Sequence, residues 1–119
     1  MSKRFFICSI IVVFILSSIL LGAKVELLIT NPKDSQKITE RNISVEGISQ
    51  GLEPGIIITI YIRTNRVYEQ GKTKILNNGK WKYYPAVIGA EEDKEFYADI
   101  YAETDAGIRS NIVTVYRIR

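Results

Sequence analysis

The chain has 119 residues with 16 basic and 13 acidic side chains, a formal net charge of +3, one cysteine and no histidine. Ser-His-Asp and Cys-His catalysis are therefore closed to it, as are the usual structural zinc sites. No glycine loop of the phosphate-binding kind appears either.

The amino terminus reads as an export signal. Ser2-Lys3-Arg4 is a short positive segment, followed by an apolar run over 5–21 and then Gly22 and Ala23. That order predicts a secretory signal peptide over 1–23, cut after Ala23. Leu21 stands where a small residue is preferred, so an uncleaved membrane anchor is the alternative. The run of 17 residues lies at the low edge of the about 17–25 that span hydrocarbon. Cleavage would remove Lys3 and Arg4 and lower the net charge to +1. A nearly neutral domain gives no bulk case for nucleic-acid binding. Cys8 also lies in the leader, so the domain over 24–119 has no disulfide and must rest on its core.

From residue 24 onward the apolar period is two. "VELLIT" (25–30) predicts a strand and "NPKDSQ" (31–36) a turn built on proline and Asx chemistry. "ISVEG" (43–47) is a second strand, "SQGLEPG" (49–55) a loop, and "IIITIYIR" (56–63) a third strand rich in β-branched residues. "RVYEQ" (66–70), "KTKIL" (72–76), "KWKYY" (80–84), "EFYADIYAET" (95–104) and "NIVTVYRI" (111–118) complete the series. No long helix is predicted. About seven short strands with frequent turn signals predict an all-β, immunoglobulin-like antiparallel β-sandwich.

The segment "KTKILNNGKWKYY" (72–84) admits two hairpin registers. A two-residue Asn78-Gly79 turn puts Trp81 opposite Leu76 and leaves Lys74 on the face of Trp81 and Tyr83. A three-residue 77–79 loop, with Gly79 in the left-handed position, puts Trp81 opposite Ile75 and Tyr83 opposite Thr73. In the second register Lys72, Lys74, Lys80 and Lys82 all point away from the aromatic rings. A one-residue slip flips every side chain, so the register that separates apolar from charged is preferred. It places Trp81 and Tyr83 in the core and leaves Tyr84 exposed.

"NNGKWKYYPAVIG" and "FYADIYAETDAGIRSNIVTVYRI" resemble the carboxy-terminal half of the bacterial Ig-like domains of secreted and surface proteins. Those domains carry a D/N-G-x-W hairpin, then an alternating strand ending A-x-x-D-x-A-G-N-x-S, then a last strand. Asn78-Gly79-Lys80-Trp81, Ala102, Asp105-Ala106-Gly107 and Ser110-Asn111 sit in corresponding places. "NPKDSQKIT" and "ISVEG" look like the family's P-x-x-G-x-x-V-x and V-x-G elements. Ser35 replaces the glycine of the first turn, and Ile108-Arg109 interrupts the G-N-x-S. The resemblance implies a fold and an envelope or extracellular setting, not an activity.

Two surfaces are candidates. With Ile58, Ile60 and Ile62 inward, Tyr61 and Arg63 face out. With Phe96, Ala98, Ile100 and Ala102 inward, Tyr97, Asp99 and Tyr101 face out. With Val113 and Val115 inward, Tyr116 joins them, although Ile112 and Ile118 would suit the opposite choice. Tyr61, Arg63, Tyr97, Tyr101 and Tyr116 thus form a candidate protein-binding face; tyrosines also suit exposed sheet positions through cross-strand pairing alone. The second candidate is Lys72, Lys74, Lys80 and Lys82 with Tyr84, as a site for carbohydrate or an anionic cell-wall polymer. Edge protection is the favoured explanation of such lysines, because four of them in a nearly neutral domain make a modest field.

The remaining motifs carry less. "EEDKE" (91–95) reads as a solvated loop rather than a carboxylate pair for glycoside hydrolysis. With Asp99 or Asp105 it lacks calcium-loop spacing. "NIS" (42–44) matches an N-glycosylation acceptor. The expectation is a non-catalytic, exported module, without cofactor or metal. It would contact another protein in the cell envelope or outside the cell, or else a glycan, and would touch membrane only through 5–21 if the leader is retained.

Overall fold

The computed structural model describes residues 24–89 and 95–118. The predicted leader over 1–23, most of the acidic run (91–94) and Arg119 lie outside the described residues. Within them the chain forms eight strands: β1 (Glu26–Asn31), β2 (Lys37–Ile38), β3 (Asn42–Gln50), β4 (Ile57–Arg63), β5 (Val67–Lys74), β6 (Lys80–Val87), β7 (Phe96–Thr104) and β8 (Val113–Arg117). They build a three-stranded sheet, β1-β3-β6, and a five-stranded sheet, β2-β8-β7-β4-β5. This is an immunoglobulin-like β-sandwich, antiparallel except where β2 runs parallel to β8.

Alternation of apolar side chains drives the packing. Ile58, Ile60 and Ile62 of β4 are almost fully buried, and so are Ala98, Ile100 and Ala102 of β7 and Val113 and Val115 of β8. Leu27, Ile29, Val45 and Trp81 close on them from the other sheet. Trp81 lies directly across the ladder from Gly47 and donates its indole N–H to the Ile48 carbonyl at 3.2 Å. A Cβ at Gly47 would sit inside that indole and against the Leu28 carbonyl, so the V-x-G of β3 makes room for the G-x-W of β6.

The hairpin expectation needs correction. The turn itself is the three-residue kind: Leu76 N–H donates to the Lys80 carbonyl at 2.9 Å, and Gly79 takes a φ of 82°. Beyond it, however, the flanking strands do not pair. β5 continues antiparallel to β4 and β6 to β3, so the turn crosses from one sheet to the other. "RVYEQ" and "KTKIL" are also one strand, interrupted by a bulge in which Gln70 is the extra residue between the Gly71 and Glu69 pairings.

All three bulges fall on edge strands: at Thr30 in β1, Gln70 in β5 and Tyr84-Pro85 in β6. Proline, with no N–H to give a ladder, is at home on such an edge. Side chains then close both open sides of the sandwich. On one side Tyr83 OH donates to Gln70 O at 2.9 Å, Thr73 Oγ1 donates to Lys82 O at 2.7 Å, and Gln70 Oε1 accepts from Val87 N at 2.8 Å. On the other, Asn111 clamps β1: its Oδ1 accepts from Ile29 N at 2.8 Å and its Nδ2 donates to Ile29 O at 3.4 Å.

Candidate functional site

β4, β7 and β8 are neighbours, and their outward side chains align in rows across the five-stranded sheet. Tyr61 pairs with Tyr101, their rings stacked at 5.2 Å and 20° apart. Tyr97 pairs with Tyr116, their rings tilted by 34° at 4.7 Å. Between the aromatic rows runs a polar one. Arg63 Nη2 donates to Asp99 Oδ2 at 2.7 Å, Thr114 Oγ1 donates to Asp99 Oδ1 at 2.7 Å, and Thr114 N donates to Asp34 Oδ1 at 2.9 Å. All five residues expected on this face, Tyr61, Arg63, Tyr97, Tyr101 and Tyr116, are on it.

They are not equally available. Tyr97 is 68% exposed, whereas Tyr101 is only 6% exposed although it points out of the core. Arg109, from the loop after β7, covers it: its guanidinium lies 4.6 Å over the Tyr101 ring and pairs with Glu103 at 3.7 Å. Ile108-Arg109, which interrupts the G-N-x-S pattern, thus supplies the cation that roofs the tyrosine stack. The surface open to a partner is Tyr97, the flank of Tyr116 and the Arg63–Asp99 pair.

Hydrogen bonds set the electrostatics of this face. Hydrogen bonds from Arg63 and Thr114 hold the Asp99 carboxyl below its ordinary range, and the same bond to Asp99 raises Arg63. Tyr116 OH donates to Glu95 Oε1 at 2.8 Å, which raises the phenol above its usual value. Asp99 is thereby committed to Arg63 and Thr114. Among the described residues no cluster of three His, Cys, Asp or Glu side chains could hold a metal ion.

The lysines do not form the single comb expected. Lys72 and Lys74 belong to β5, and Lys80 and Lys82 to β6, in different sheets. Lys74 stands opposite Ile57, not Lys82. Lys72 reaches Thr59 Oγ1 at 3.0 Å and Glu69 at 3.8 Å, while Lys82 lies 3.9 Å from Glu46, its cross-strand partner. The physical reason is the crossing turn: two strands that never pair cannot align their charges. Tyr84 is 60% exposed, as expected, and at the β6 bulge it lines a cleft bounded by the 32–36 turn that none of the four lysines lines. Sequence reasoning did not find that cleft, nor the roles of Asp34, Glu95 and Arg109, which lie outside the strands, and of Thr114 in β8, whose partners the fold brings to it. No protein-family model matches the chain, and a search of curated proteins finds no match.

Proposed function

We propose that this chain is a non-catalytic module of the bacterial Ig-like kind, exported to the envelope or beyond, that binds another protein through the outer face of its five-stranded sheet. The observation that carries this reading is the Tyr97–Tyr116 pair, with Tyr97 68% exposed beside the Arg63–Asp99 ion pair. Aromatic rings held by cross-strand partners offer rigid amphipathic area and lose little entropy on contact. Arg63, the cation of the polar row, is paired with Asp99, and Asp34 and Glu95 add carboxylates beside it, which suits a protein surface better than a polyanion. The dispersed and partly paired lysines weaken the polymer alternative for the same reason.

The test is a photo-crosslinking amino acid placed at position 97, with position 28 on the opposite sheet as control, in the cells that make the protein. A discrete adduct from 97 alone, lost with Arg63→Ala and insensitive to salt, is the expected result. Equal adducts from both positions, or none from 97, would remove this face from consideration.

A further inference from the structure

A second site is built where the 32–36 turn meets the bulge of β6. The cleft there has a volume of about 300 Å³, at the small end of ligand clefts (about 300–1,000 Å³) and with room for one ring. Its floor is apolar, with Pro32 and Ile38 buried and Ile43 half-buried. Tyr84, 60% exposed, forms one wall, and the rim is polar.

The rim has hydrogen-bonding capacity to spare. Asn31 uses its Nδ2 on the Ser44 carbonyl at 3.3 Å and, among the described residues, keeps its Oδ1. Gln36 Oε1 accepts from Lys33 N at 2.9 Å and, among the described residues, its Nε2 donors stay free. Glu40 adds a carboxylate, and among the described residues no lysine or arginine lines the cleft. The turn is also pinned to β8. Ser35 N donates to Thr114 O at 2.6 Å and Tyr116 N donates to Gln36 O at 2.9 Å, so the rim is set before any ligand arrives.

We propose that this cleft binds a single uncharged sugar ring. A pyranose has an apolar C–H face that would lie on Tyr84 and the apolar floor. Its hydroxyls both donate and accept, matching the acceptor of Asn31, the donors of Gln36 and the carboxylate of Glu40. An anionic sugar would meet Glu40 with no compensating cation. Tyr84 belongs to the other sheet from the protein-binding face, while the 32–36 turn touches both sites: Asp34 accepts from Thr114 N and Gln36 O accepts from Tyr116 N.

The experiment is an NMR titration of residues 24–119 with millimolar glucose, N-acetylglucosamine and, as the anionic comparator, glucuronic acid. For at least one neutral sugar, the shifts should centre on the side-chain amides of Asn31 and Gln36 and on the ring of Tyr84, and persist in high salt. Tyr84→Ala should weaken binding at least about tenfold, while Tyr84→Phe and Tyr97→Ala leave it nearly unchanged. Tyr84 is exposed, so an unchanged melting temperature confirms that the variant is folded. An oligosaccharide of the same sugar separates two sources: equal shifts assign a free single ring, larger ones the end of a glycan chain. No shift with either neutral sugar, shifts that follow the anionic sugar and vanish with salt, or full binding by Tyr84→Ala would each overturn the proposal.

Discussion

At Gly47 the β3 backbone passes under the indole of Trp81, and a single methyl group would have to displace both that ring and the Leu28 carbonyl. Gly47→Ala should therefore destabilise by about 3 kcal/mol or more in urea unfolding, at the upper end of overpacking costs. In the unaltered protein Trp81 should emit in the blue and resist a soluble quencher. Red, quenchable emission would contradict its burial. Ser35 makes the opposite case. It holds a φ of 67°, where a side chain costs about 1–2 kcal/mol, and it stands where the resembling family has glycine. Ser35→Gly relieves that strain but adds about 0.5–1 kcal/mol of unfolded-state freedom. The net expectation is a gain of roughly 0.5 kcal/mol, read as a higher denaturation midpoint. Asp99 sets a pH dependence. Its folded pKa is depressed, so its contribution is fully present above the unfolded value of about 3.9 and is lost as pH falls through the folded one. The melting temperature should drop below about pH 4, and Asp99→Asn should flatten that drop. An unchanged slope would show that Asp99 contributes nothing.

At the scale of elements, period-two alternation made most strands and their buried faces legible. Ile58, Ile60 and Ile62, then Ala98, Ile100 and Ala102, then Val113 and Val115, each point where the sequence pattern sends them. What stayed hidden has physical causes. β2 is two residues long, too short for any period to show. Gly71 inside "YEQGKTK" imitates a strand break, although the chain only bulges there. The 77–79 turn imitates a paired hairpin, because sequence neighbours usually pair, yet β5 and β6 each have a ladder elsewhere. The tyrosine rows were legible once β4, β7 and β8 were placed together. The burial of Tyr101 was not, because its cover, Arg109, comes from a loop. The cleft beside Tyr84 was not, because three separate segments build it. Asn111 shows what an isolated polar residue does for an element: both its amide groups serve the edge of β1. Asn111→Ala should cost about 2 kcal/mol, since two partly buried backbone groups lose their partners. The Ile29 amide should then exchange faster with solvent, ahead of amides in β4 and β7.

For the whole molecule, direction matters as well as strength. β1 leads away from Lys24 beside Gln50 at one end of the sandwich, and β8 runs out to Ile118 at the other, with β2 parallel to it. The Asn111 clamp ties the first strand to the segment that feeds the last. If the module is held at its amino terminus and loaded near its carboxy terminus, tension runs along these strands and slides them past one another. Their hydrogen bonds then carry the load together. Pulling between Lys24 and Gly51, which share one end, would instead peel β1 from β3 one pair at a time. Single-molecule stretching should give a clearly higher rupture force for the end-to-end pull than for the Lys24–Gly51 pull, and Asn111→Ala should narrow the gap. Equal forces for the two pulls would overturn the shear geometry, and a gap unchanged by Asn111→Ala would mean that the clamp bears no load. A narrowed gap would make the side chain that hides a sheet edge also the rivet that lets a small domain without a cross-link resist tension.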